Sequence, residues 1–179
     1  PRWNALNRLA NEISLALQQD PGISLVIGHG SGSFGHVAGS KYDTRHGVQT
    51  PDQWLGFAEV WQVARSLNQI VIDTLARVGL PVIAFPPSAA STARGSVLQT
   101  WDIAPIQAAL DAGLIPLVNG DVAFDTELGG TIVSTEDVFF YLARKLTPQR
   151  ILLSGIESGV YADYPARQQF IEQIDSQTL

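Results

Sequence analysis

Gly28-His29-Gly30-Ser31-Gly32-Ser33-Phe34-Gly35-His36 follows directly on the apolar run Ile23 to Ile27. The run, bounded by Gly22 and Gly28, reads as a short buried strand. The glycines after it read as a loop free to adopt φ > 0 and to bring backbone N–H groups close to an anion. Such a loop builds a phosphate cradle. His36 closes it with a donor that can carry charge near neutral pH, suited to a phosphate oxygen gathering charge during transfer. A tight strand-to-helix turn ending in a surface histidine fits the glycine pattern alone equally well.

Outward from this loop, helices and strands alternate. Ahead of it, Trp3, Leu6, Leu9, Ile13 and Leu17 recur at spacings of three and four, which predicts an amphipathic helix ending near Asp20-Pro21-Gly22. Behind it, a polar segment from Ser40 to Asp52 leads into a long helix from Gln53 to Val78 that Gly79 stops. Leu80 to Phe85 reads as a strand closed by Pro86-Pro87. A polar linker with a strand near Val97 and Leu98 precedes a helix from Ile103 to Ala112. Leu114 to Val118 is the next strand and runs into Asn119-Gly120-Asp121. Phe124 to Ile132 reads as a hairpin around Leu128-Gly129-Gly130. Ser134-Thr135-Glu136-Asp137 reads as a helix start, Phe139 to Leu146 as its body, and Arg150 to Leu153 as a last strand. The alternation implies one α/β domain, a three-layer α/β/α sandwich around a mostly parallel sheet, with ligands at the carboxyl ends of the strands.

Composition narrows the function. With 179 residues, 45% of them hydrophobic, the chain suits a globular domain with a substantial core. No apolar run approaches the roughly 18 residues of a spanning helix, and Pro1-Arg2-Trp3 lacks the regions of a signal peptide, so a cytoplasmic protein with no membrane partner is expected. Zero cysteines exclude disulfides, thiolate metal sites and cysteine nucleophiles. A net charge of -6 without a basic stripe argues against nucleic acid as a partner, while leaving room for a small anionic ligand. The absence of methionine, even at position 1, leads to the expectation of a fragment or processed chain.

Among candidate residues, His36 reads as a phosphate ligand or as an exposed loop residue, His29 as structural and His46 as solvent-facing. Three histidines this dispersed have no metal-ligand spacing, and no metal site is expected. Asp121 could orient a lysine, accept a hydrogen bond or hold magnesium through water, or could simply favour a turn. Ser134 and Thr135 cap a helix or present N–H and hydroxyl groups to phosphate. Glu136 and Asp137 read as dipole partners, and Trp54 and Trp61 as core or lid. The chain has no P-loop motif, no complete dinucleotide fingerprint and no nucleophile elbow.

His29-Gly30-Ser31-Gly32-Ser33-Phe34-Gly35-His36, Lys41-Tyr42, Asn119-Gly120-Asp121-Val122-Ala123-Phe124-Asp125, Gly130-Thr131-Ile132-Val133-Ser134 and Gly159-Val160-Tyr161 together resemble the amino-acid kinase superfamily, and within it the isopentenyl phosphate kinases. The second histidine, His36, separates these kinases from relatives that phosphorylate carboxylates. The resemblance runs from the helix at Trp3 to the loop from Tyr161 to Pro165. It implies an amino-acid kinase-like fold with residues 1–146 mainly as a substrate-binding half and 147–179 as the start of a nucleotide-binding half. It also implies transfer of a phosphoryl group from ATP, with Mg2+, to isopentenyl phosphate in isoprenoid biosynthesis, with homodimerisation expected by analogy.

By the same likeness His36 and Asp121 are the catalytic residues, with His36 neutralising the substrate phosphate and Asp121 orienting phosphate-binding groups. Gly30, Ser31, Gly35, Ser134 and Thr135 would bind substrate beside His36. Gly32, Gly155, Ile156, Gly159, Val160 and Tyr161 would meet ATP. Phe57, Val60, Trp61 and Ala64 would wall the isoprenoid tail. The chain departs from the pattern in four places. A Lys-x-Gly-Gly-Ser loop and a later Gly and Lys segment are missing from the sequence, so little kinase activity is expected of this chain in isolation. Ser134-Thr135-Glu136-Asp137 stands for the usual Ser-Gly-Asp-Asp, and Gly155-Ile156-Glu157-Ser158 for Thr-Asp-x-Asp. Two alternatives remain at this level: a kinase for fosfomycin-type phosphonates, and a non-catalytic phosphate-binding fragment of the same fold.

Overall fold

A strand buried on both faces reads as a nearly continuous apolar run, and Ile115–Asn119 is such a strand, all five residues being buried and only Asn119 at its end polar. The computed structural model describes residues 2–32, 39, 41–155 and 157–173, and divides the chain into two compact units, Pro1–Thr147 and Pro148–Leu179.

In chain order the first unit contains α1 (Trp3–Gln19), β1 (Ile27–His29), α2 (Pro51–Arg77), β2 (Val82–Ala84), β3 (Ser91–Arg94) and β4 (Val97–Trp101). It continues with α3 (Ala104–Asp111), β5 (Ile115–Asn119), β6 (Asp121–Asp125), β7 (Gly129–Val133) and α4 (Thr135–Leu146). The strands β1, β5 and β2 form a parallel sheet in that order, with Ile27 opposite Leu117 and Val82 opposite Ile115. Ile115 and Leu117 point to one face, where Ala10 of α1 and Val71 and Leu75 of α2 bury them. Val118 points to the other, against Ile106 of α3 and Val138 and Leu142 of α4. These are the three layers of the expected sandwich. A second, four-stranded sheet, in the order β4-β3-β6-β7, is mixed: only its β3–β6 pair is parallel.

The helices start where the sequence supplies caps. Thr50 and Gln53 form a reciprocal capping box before α2, with Pro51 in the first helical position. Asp20 ends the approach from α1 by accepting the N–H of Gly22 at 3.1 Å. Gly28 lets α4 press onto β1, since a Cβ there would overlap the Phe139 ring.

Three strand expectations need correction. The first ladder strand is Ile27–His29 rather than Ile23 to Ile27, because pairing with β5 begins only at Ile27, and Ile23 is exposed. The polar linker after Pro87 contains β3, whose Ser-Thr-Ala-Arg sequence buries Ser91 and Ala93 on alternate positions. Arg150 to Leu153 forms no strand; Leu152 and Leu153 are exposed and pair with no strand among the described residues. Within the second unit, β8 (Val160–Tyr161) and β9 (Phe170–Ile171) make a small antiparallel ribbon in which Tyr161 packs edge-on against Phe170. No helix among the described residues is long and apolar enough to cross a membrane.

Candidate functional site

Parallel strands β1 and β5 end side by side, with His29 opposite Asn119, so the loops that follow them leave the sheet together. The start of α4 meets them there. The Thr135 hydroxyl donates to the His29 carbonyl at 2.8 Å and accepts the Gly120 N–H at 2.9 Å. One side chain thus ties both strand ends to the helix. Gly120 permits this approach, because a Cβ on it would lie 3.1 Å from the Thr135 N and Oγ1. The Ser134 hydroxyl is also committed: it donates to Asp137 at 2.7 Å and accepts the Asp137 N–H at 3.1 Å, completing a capping box. What α4 offers an anion is therefore the backbone N–H groups of Thr135 and Glu136 rather than these hydroxyls.

Of the residues singled out in the sequence, Gly30, Thr135 and Ser134 come together at this point, a Cβ on Gly30 standing 3.8 Å from the Thr135 hydroxyl, with Ser31 and Gly32 continuing the loop. Gly32 has φ +50, and a Cβ on it would meet no atom of the described residues within 4 Å. Gly35, His36 and Ile156 lie outside the described residues. Gly155, Gly159, Val160 and Tyr161 belong to the second unit, where the Phe170 ring covers Gly159.

Asp121 opens β6 and is almost wholly buried. It accepts the Ser88 N–H at 3.2 Å and the Val122 N–H at 2.9 Å. Burial pushes its carboxyl above the usual range, and these donors offset only part of the effect. Its side chain borders a cleft of about 200 Å³ shared with Trp61, Arg65, Asn68, Gln69 and Asn119. Asn119 donates from Nδ2 to the Gly120 carbonyl at 2.9 Å. Its buried Oδ1 has no partner among the described residues.

Of the cleft residues Arg65, Asn68 and Gln69, the first and last carry no signal as single polar residues in an amphipathic helix. Asn68 alone had a readable one, since it falls on the buried stripe of α2 between Ala64 and Val71, where an amide needs a partner. That partner is His29, whose Nε2 lies 2.9 Å from Asn68 Oδ1. Of the four proposed tail-wall residues, Phe57, Val60 and Ala64 are buried and Trp61 lines the cleft. Phe57 and Val60 pack with Val48 and Val122, and Ile132 packs against that cluster.

The model of the amino acid kinase family matches residues 2–179. The chain is 32% identical over 170 residues to an isopentenyl phosphate kinase of Methanocaldococcus jannaschii, covering 90% of this chain and 64% of that protein. It is 31% identical over 168 residues to an isopentenyl phosphate kinase of Methanothermobacter thermautotrophicus, covering 90% of this chain and 62% of that one. Among solved structures, an isopentenyl phosphate kinase superposes with a TM-score of 0.85 at 30% identity, over 92% of this chain and 67% of the other. The chain spans less than two thirds of the length of these two sequence relatives.

Proposed function

The chain belongs to the amino acid kinase family, and from that premise we propose that it serves the ATP-dependent phosphorylation of isopentenyl phosphate to isopentenyl diphosphate. The observation that carries this reading is the junction of the Gly30-Ser31-Gly32 loop, Gly120 and the start of α4, fixed by the Thr135 hydroxyl. Similarity to isopentenyl phosphate kinases over nine tenths of the chain supports the choice of acceptor.

Transfer between two phosphates requires little covalent assistance and much positioning, because both partners are anions. In this proposal the N–H groups of Ser31 and Gly32 and those of Thr135 and Glu136 hold phosphate oxygens. His36, with Gly35, neutralises the acceptor phosphate. Asp121 holds the loop at Ser88 against the end of β5. Phe57, Val60, Val122 and Ile132 form the apolar wall for the five-carbon tail. Residues 1–146 act as the substrate half. Gly155, Ile156, Gly159, Val160 and Tyr161 contact the nucleotide, and Mg2+ enters as part of the MgATP substrate, held by phosphate oxygens and water.

Calorimetric titration with isopentenyl phosphate tests this, beside His36→Ala and with fosfomycin as a second ligand. Saturable binding of isopentenyl phosphate, weakened about tenfold or more by His36→Ala, is expected. A folded chain that binds neither ligand overturns the reading, and binding of fosfomycin alone transfers it to a phosphonate acceptor.

A further inference from the structure

The His29 ring sits between two groups that are usually thought of separately. Its Nδ1 lies 3.2 Å from the carbonyl oxygen of Gly30, and its Nε2 lies 2.9 Å from Oδ1 of Asn68, a buried residue of α2. A carbonyl oxygen only accepts, so the first contact is a hydrogen bond only when Nδ1 carries the proton. Asn68 then completes the ring's bonding in either of two ways. Its Nδ2 donates to a bare Nε2, or its Oδ1 accepts from a second N–H. The two ends of an amide have nearly the same shape, so the network decides between them.

We propose that Asn68 and His29 are positioning residues that set the direction of the Ser31 N–H. The peptide between Gly30 and Ser31 is a rigid plane in which C=O and N–H point opposite ways. With the Gly30 carbonyl held by the His29 ring, the Ser31 N–H faces away from that ring, and it meets no acceptor among the described residues. The His29 main chain is itself fixed, by its ladder with Asn119 and by the Thr135 hydroxyl. The loop base is therefore clamped from α4 through the backbone and from α2 through the imidazole. The inference deepens the phosphate reading of the same loop and rests on it for the ligand.

Nitrogen-15 NMR of the histidine rings and of the Ser31 amide tests the geometry without any ligand, and isopentenyl phosphate titration tests its use. Wild-type His29 should show a proton on Nδ1. Asn68→Leu should change the His29 ring nitrogen signals, shift the Ser31 amide and weaken isopentenyl phosphate about tenfold. His29→Asn, whose Nδ2 stands where Nδ1 stood, should keep most of the affinity, whereas His29→Gln should not. Equal behaviour of these two variants with unchanged folding, or a His29 ring protonated on Nε2 alone, overturns the proposal. If the wild type binds no isopentenyl phosphate, the kinase reading falls, while the ring and amide signals still decide the orientation of the loop.

Discussion

A carboxylate buried at the end of a strand loses hydration that a few N–H groups replace only in part, and Asp121 is in that position. Its folded pKa lies above the unfolded one through burial. Ionisation therefore costs no stability below about pH 4 and costs more as pH rises toward the folded pKa. Asp121→Asn should melt close to wild type at pH 4 and higher than wild type at pH 7. A melting difference independent of pH in scanning calorimetry would sink the burial argument. Thr135 shows what a sequence hides at this scale. The helix start was legible in Ser134-Thr135, but the bond to His29 joins residues brought together only by the sheet.

Elements were legible where a local rule determines them. The apolar spacing of α1 and α2 and the cap before α4 depend on residues within a turn or two, and the structure follows them closely. Strand limits depend on partners far away, which is why β1 slipped to Ile27 and why β3, with Ala93 as its one apolar residue, read as linker. The same contrast divides the site. Asp121, Ser134 and Thr135 announced themselves at element ends, whereas Arg65 and Gln69 look like any polar residue on a solvated helix face. The α4 cap has a measurable worth. Ser134→Ala should cost about 1 kcal/mol and lower the melting temperature by about 3 °C. An unchanged thermal transition would show the capping box to be idle.

Across the whole molecule, Asp125 joins the turns of two hairpins. It accepts from Gly95 and Ser96 of one, at 3.1 and 2.8 Å, and from Glu127 and Leu128 of the other, at 2.8 and 2.9 Å. Burial pushes its carboxyl up, yet the N–H groups of Leu128, Ser96, Glu127 and Gly95 together hold it below the usual range. The stability it contributes is present above about pH 4 and is lost as pH falls through its folded pKa, opposite in sign to Asp121. Asp125→Ala should cost about 3 kcal/mol in urea unfolding at pH 7, and less as the pH is lowered below about 4. A loss that is the same at every pH would show that the carboxylate charge does not matter. The placement of β5 carries a different consequence, for the order in which the protein is made. The middle strand of the parallel sheet is the last of its three to be synthesised, and among the described residues both neighbours pair only with it. Until Ile115–Asn119 leaves the ribosome, Ile27–His29 and Val82–Ala84 are edges without a sheet, so a nascent chain arrested before that point should be open to chaperones and proteases.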